Sequence, residues 1–203
     1  MKDVNQALSE IRSIRHEMAR NTQFQGYGPI STAFSGLLAL GVAWFQAGSM
    51  HGDRSFFACF GIWIATACVA LLLSGGETLV RSQRVHSGLA LEMIQSAIEQ
   101  FVPALIVGLL LTVVLMRAAP DDQWMLPGLW EVIFSLGVFA SCRFLPRQMF
   151  AVGVWYLVAG LASLAWSGAD KTFSPWAMGL PFGIGQLLVA SVLRFGYGDN
   201  LET

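Results

Sequence analysis

The side chains that could carry chemistry in this chain are few, and they gather in two places. Glu92, Gln95, Ser96, Glu99 and Pro103 recur at three- and four-residue spacing, which puts them on one face of a helix. Acids on such a face pair with Arg81, Arg84, Arg143 or Arg147 as a partly solvated surface. Alternatively, with Glu99 slightly inside the hydrocarbon, they form an uptake site for a cation or proton. The second place is Trp176 to Gln186. Pro181 removes a backbone donor there, and Gly179, Gly183 and Gly185 allow close approach or unwinding, so a kink is expected beside Gln186. Pro103 is a second kink candidate. Broken helices line transporter sites. The small residues at Gly179 and Gly183, like Ala39, Ala43 and Ala47 earlier, equally serve tight helix packing with no ligand at all. Glu131, soon after Pro127, is read as an acid at the wet interface, favoured by the helix N-terminus.

These residues need elements to hold them, and the composition says which kind. The 203 residues are 55% hydrophobic and only 12% charged, about half the charge usual in soluble domains, so the chain belongs in a bilayer. Segments of about 20 apolar residues, the length that crosses a core of about 30 Å, occur six times. They run from Ile30 to Ser49, Ser55 to Ser74, Ala97 to Met116, Pro127 to Phe144, Met149 to Ser167 and Pro175 to Phe195. All six must be helices, because an open sheet edge in lipid leaves its backbone groups unpaired. The fold class expected is an all-α membrane protein, six transmembrane helices in three hairpins, with the third helix starting near Ser87. Residues 1–28 form a cytoplasmic amphipathic helix and linker, 29–195 the bundle, and 196–203 a short tail.

Charge sets the orientation. Lys2, Arg12, Arg15, Arg20, Arg81, Arg84, Arg143, Arg147 and Arg194 fall on one side of this topology, against Arg54, Arg117 and Lys171 on the other. The positive-inside rule then places both termini in the cytoplasm. Trp124, Trp130, Trp166 and Trp176 fall near the outer helix ends, where an aromatic belt sits. In the N-terminal segment Val4, Ile11, Ile14 and Met18, with Ala7, make a heptad-like seam beside Arg12, Arg15, His16 and Arg20. That seam suits membrane lipid or a partner helix. The segment has no apolar core of signal-peptide length, so the first span is expected to direct insertion.

Several chemistries are not expected. No span carries Asp, Lys or His, and His16, His51 and His86 fall outside the spans, so a bis-imidazole haem or a metal cluster in the bilayer is disfavoured. Gly196-Tyr197-Gly198-Asp199 matches the GxGD of intramembrane aspartyl proteases, but no span supplies the second Asp. Cys59, Cys68 and Cys142 read as small buried hydrophobes. A net charge of −1 with no basic stripe speaks against nucleic acid. No nucleotide loop is present, and no cofactor is expected. A faint repetition links Gly36 to Trp44 with Gly160 to Trp166, each a small-residue and leucine run ending in Trp.

Three stretches, Ile11 to Arg20, Leu126-Pro127-Gly128-Leu129-Trp130 and Met178 to Gln186, together with the span layout, resemble a group of small six-helix bacterial integral membrane proteins of unknown activity. The resemblance implies an inner-membrane location and assigns no catalytic residue. Where the group's pattern has Gly-His in the sixth span, this chain has Gly185-Gln186. The function expected is non-enzymatic: an accessory, assembly or sensor subunit acting through helix packing, in a homo-oligomer or with other membrane proteins. The alternative is a small transporter or channel for a cation, proton or small solute, using Glu99 and the Pro181/Gln186 region. The transporter needs a polar path joining the third and sixth helices; the packing protein needs only a dry interior.

Overall fold

The computed structural model describes residues 29–49, 56–84, 88–142, 145, 147–171 and 173–195. The Val4/Ile11/Ile14/Met18 seam, His51, His86 and the GxGD tail lie outside the described residues. Helices α1 (Pro29–Ser49), α2 (Phe56–Arg84) and α3 (Gly88–Ala118) are followed by a 3-10 segment, Pro120–Met125. Then come α4 (Leu126–Ser141), α5 (Met149–Asp170) and α6 (Pro175–Phe195). Among the described residues there is no strand. Among the described residues six helices are long and apolar enough to cross a membrane.

The apolar runs end sooner than the helices do. α2 has 29 residues and α3 has 31, so each is roughly 45 Å long at 1.5 Å per residue and outreaches a core of about 30 Å. Intrahelical hydrogen bonding does not stop where hydrophobicity stops, and nothing in the polar ends of α2 and α3 breaks it. Pro103 and Pro181 do not interrupt their helices, which run continuously through both. At Pro181 the next turn is steadied from outside, because Trp155 Nε1 donates to the Pro181 carbonyl at 3.0 Å. α5 stops at Lys171, whose left-handed backbone (φ 48°) lets its N–H reach the Ser167 carbonyl at 2.8 Å.

The most extensive packing joins α1 to α6 and α4 to α5; the sequential pairs α3–α4, α1–α2 and α5–α6 meet over less surface. Small residues explain both dominant contacts. A β-carbon on Gly36 would lie 2.9 Å from the Gly183 carbonyl oxygen, and one on Gly179 would strike the Ala43 methyl. Thus the small residues of α1 and those of α6 form one crossing, with Ala39 and Ala43 buried in it. At the other crossing a β-carbon on Gly160 would come 2.8 Å from the Gly128 carbonyl oxygen, and one on Gly128 would come 2.7 Å from that of Gly160. Backbones this close leave no room for any side chain. α2 and α3 are consecutive, yet they make at most marginal contact with each other, and much of their apolar surface is exposed, including Leu71, Leu72, Ile106 and Leu110.

Polar ties hold the looser helices. Gln46, fully enclosed in α1, donates from Nε2 to the Cys59 carbonyl of α2 at 2.9 Å. Trp130 of α4 donates from Nε1 to the Thr112 hydroxyl of α3 at 2.9 Å, and that hydroxyl donates to the Gly108 carbonyl at 2.8 Å.

Candidate functional site

Because α2 and α3 stand apart, they frame a cavity of about 740 Å³, within the range of roughly 300–1,000 Å³ typical of small-molecule sites. Ala67, Leu71 and Gly75 of α2 face Ile98, Val102 and Leu105 of α3 across it. Its floor comes from α1, α4, α5 and α6. None of the described residues lining it is charged.

The lining is not uniform along the cavity's length. Neighbouring helices run antiparallel, as paired approaches in opposite sequence order show: Gly36 to Gln186 with Ala43 to Gly179, Gly128 to Gly160 with Phe139 to Gly153, and Phe101 to Gly137 with Gly108 to Trp130. Thr32 and Ser35 therefore share the Pro29 end with Ser74, Ser141 and Gln186, while Phe60, Trp63, Trp130 and Met178 close the opposite end. Thr66 lies between, its hydroxyl turned back onto the Ile62 carbonyl at 2.8 Å. Ser141 likewise donates to the Gly137 carbonyl at 2.9 Å. The Ser35 hydroxyl donates to the Thr32 carbonyl at 2.7 Å and lies 3.4 Å from Gln186 Oε1. At the aromatic end the buried indole N–H of Trp63 has no hydrogen-bond partner among the described residues.

Gln186 connects the cavity to a second, closed polar group behind it. The Tyr156 phenol is completely enclosed, stacked among Phe134 and Phe182 with centroids 4.7 and 5.4 Å away. Gly185 provides the space, since any β-carbon there would collide with the phenol. Among the described residues the phenol makes no well-aligned hydrogen bond, and the polar groups acting on it are the Gln186 carboxamide and the Glu131 carboxyl. Glu131 corrects the reading from sequence. It is not at a wet interface: it is fully buried, and neither carboxyl oxygen has a hydrogen-bond partner among the described residues. The 3-10 segment Pro120–Met125 and α5 cover the start of α4, and Gly160 sits against the Glu131 β-carbon.

Of the residues singled out from sequence, Gln186 lines the cavity, and Gly179, Gly183, Ala39 and Ala43 meet in the α1–α6 crossing. Gly185 holds the phenol. Ala47 is half-buried, and Pro103 is exposed on α3. Glu99 is exposed and is not among the residues lining the cavity, so Glu99 and Gln186 are not brought together. Glu92 and Gln95 belong to α3, but their side chains are not among those described. No three described His, Cys, Asp or Glu side chains converge as metal ligands would. Sequence reasoning placed Glu131 at the wet interface instead of in the interior, and missed Tyr156 and the α2–α3 gap. For Glu131 a usable signal existed, since it is an acid inside an apolar run.

Six such helices, and a site made only of their inward faces, define a multi-pass membrane protein. Comparison with protein-family models, curated proteins and solved structures finds no match to this chain.

Proposed function

We propose that the protein is a non-enzymatic accessory or sensor subunit of the bacterial inner membrane, with both termini cytoplasmic, working through helix packing in a homo-oligomer or with other membrane proteins. The observation that carries this reading is that, among the described residues, α2 and α3 make at most marginal contact with each other. Two tight crossings, α1 on α6 and α4 on α5, make a frame, and the two longest helices pack on it from one side each, α2 on α1 and α3 on α4, rather than on each other. An element held from one side is one whose position a bound molecule or neighbouring subunit can bias, because contact energy opposes the shift from that side only. The two helices also overhang the hydrocarbon, which carries any change in their separation out of the membrane.

Spin-label distances test this. With Cys59 and Cys142 replaced by Ala, labels at the native Cys68 of α2 and at Ile106→Cys of α3 report the gap; labels at Leu37→Cys and Leu188→Cys, in a background that also lacks Cys68, report the frame. The expected result is a broad α2–α3 distribution that narrows or shifts with lipid composition, beside a narrow, invariant α1–α6 distribution. An α2–α3 distance as narrow and invariant as that of the frame refutes the reading.

A further inference from the structure

Resting on that reading, we infer that the α2–α3 cavity binds an uncharged, membrane-dissolved amphiphile. Its hydroxyl or carbonyl head lies at the Thr32/Ser35/Gln186 end and its apolar body extends toward Phe60, Trp130 and Met178.

Three independent features select this class. The first is access. The gap is framed by two membrane-spanning helices whose neighbouring surfaces, such as Leu72 and Ile106, are exposed and apolar. A molecule reaching the cavity between them comes from the lipid phase, where aliphatic and isoprenoid compounds are already dissolved. The second is the distribution of polar groups. Apart from Thr66, every hydroxyl and carboxamide side chain lining the cavity belongs to the Pro29 end, which is how an amphiphile would be met if it lay parallel to the helices. Thr32 is about one turn from the end of α1, so a head held there sits just inside the hydrocarbon while the body runs toward its centre. The third is charge. No described lining residue is ionisable as Asp, Glu, Lys, Arg or His. Among the described lining residues an ionised head would find no counter-charge to replace the hydration it loses, which is costly in a medium of low dielectric. A neutral head loses much less and regains it from Gln186.

The head's hydrogen-bond character follows from what the wall offers. The hydroxyl proton of Ser35 is used on its own helix's Thr32 carbonyl, so this oxygen faces a ligand as an acceptor. The Gln186 carboxamide supplies N–H donors as well as an oxygen. A head with one hydroxyl, or a carbonyl beside a hydroxyl, satisfies both, as in long-chain alcohols, mono- and diacylglycerols and prenyl alcohols; a bare hydrocarbon satisfies neither. Glu131 and Tyr156 stand behind Gln186 and do not line the cavity, so the head does not need to reach them.

Photolabelling in nanodiscs of phosphatidylcholine tests the class. The probes are a monoacylglycerol carrying a chain diazirine and the same diazirine chain ending in a sulfate, with labelled positions mapped by mass spectrometry. The neutral probe is expected to label residues facing the gap, such as Leu71 and Val102, several-fold more than the sulfate does. Gln186→Leu is expected to lower that labelling about three- to tenfold, the worth of one or two neutral hydrogen bonds, with labelling at the outer Phe34 and Phe45 unchanged. Ala67→Trp and Gly75→Phe fill the lumen from positions that are exposed, and for Gly75 nothing lies within 4 Å of an added β-carbon; either is expected to abolish gap labelling without loss of folded protein. Equal labelling by the two probes overturns the uncharged head while leaving the mobile α2–α3 pair standing. Gap labelling unaffected by Ala67→Trp and Gly75→Phe overturns the cavity as the binding site. A rigid α2–α3 distance in the spin-label experiment overturns the underlying reading separately.

Discussion

Adding one methyl group at Gly160 should damage this protein, whereas the same methyl at an open helical glycine should not. The β-carbon of Gly160→Ala would lie 2.8 Å from the Gly128 carbonyl oxygen, 2.9 Å from Val132 Cγ2 and 3.0 Å from Glu131 Cβ. Ordinary C···O approaches are about 3.3–3.6 Å, so α4 and α5 must separate by roughly 0.5–0.8 Å. The obstacle is backbone on an opposing helix, which cannot swing aside as the tip of a side chain could. A radial gap of about 0.5–1 Å forfeits a quarter to a half of each dispersion contact, and overpacking of this kind costs about 1–3 kcal/mol. Gly41→Ala is the control, because an added β-carbon there meets nothing within 4 Å. Ala in place of an interior helical Gly gains about 0.5–1 kcal/mol. That gain is common to both positions, so unfolding free energies from SDS titration in mixed micelles should differ by the overpacking term, about 1–3 kcal/mol, between two chemically identical substitutions. If Gly160→Ala is neutral, or Gly41→Ala is equally destabilising, the α4–α5 crossing does not hold the frame together.

Glu131→Gln keeps the shape of the side chain without its capacity to ionise and should leave folded yield and unfolding free energy within about 1 kcal/mol of the parent, whereas Glu131→Lys, a charge buried without a partner, should abolish folded protein on size-exclusion chromatography. Trp155→Phe removes the hydrogen bond to the Pro181 carbonyl and should cost about 0.5–1.5 kcal/mol in the same SDS titration. Of the cysteines, Cys68 is exposed and Cys59 buried; a membrane-permeant maleimide should label Cys68 within minutes and reach Cys59 only after denaturation, and similar rates would misplace α2. A green fluorescent protein fused at the C-terminus should fluoresce and an alkaline phosphatase fusion there should be inactive, with the reverse pattern contradicting cytoplasmic termini.

The membrane-spanning architecture was legible because it depends on one quantity, the length of an apolar run, that can be read without knowing what touches what. Partner choice was not. The small residues at Ala39/Ala43 and at Gly179/Gly183 each announce a tight crossing, but a spacing motif says nothing of the helix it meets, and that these two meet each other appears only in three dimensions. Gly128 and Gly160 carry no spacing signal, since each acts alone opposite the other. Glu131 misled because helix-start position was taken for solvent contact, while the covering 3-10 turn at Pro120–Met125 looked like an ordinary connection. The cavity was the least legible feature: it comes from two helices failing to pack, and apolar residues facing a void have the same composition as apolar residues facing one another.

The pairing of α1 with α6 also has a consequence for biosynthesis. α1 leaves the ribosome first, yet its principal neighbour follows roughly 125 residues later, about 6–25 s at ordinary translation rates of ~5–20 residues/s. Throughout that interval the Gly36, Ala39 and Ala43 face must wait in lipid or in the custody of the insertion machinery, while α4 and α5, adjacent in the chain, can already join. The order of assembly is therefore inside-out relative to the order of synthesis. Closure of α6 onto α1 is the step that completes the frame, so a chain stalled before α6 presents a small-residue face that any membrane surveillance protease could recognise as unfinished.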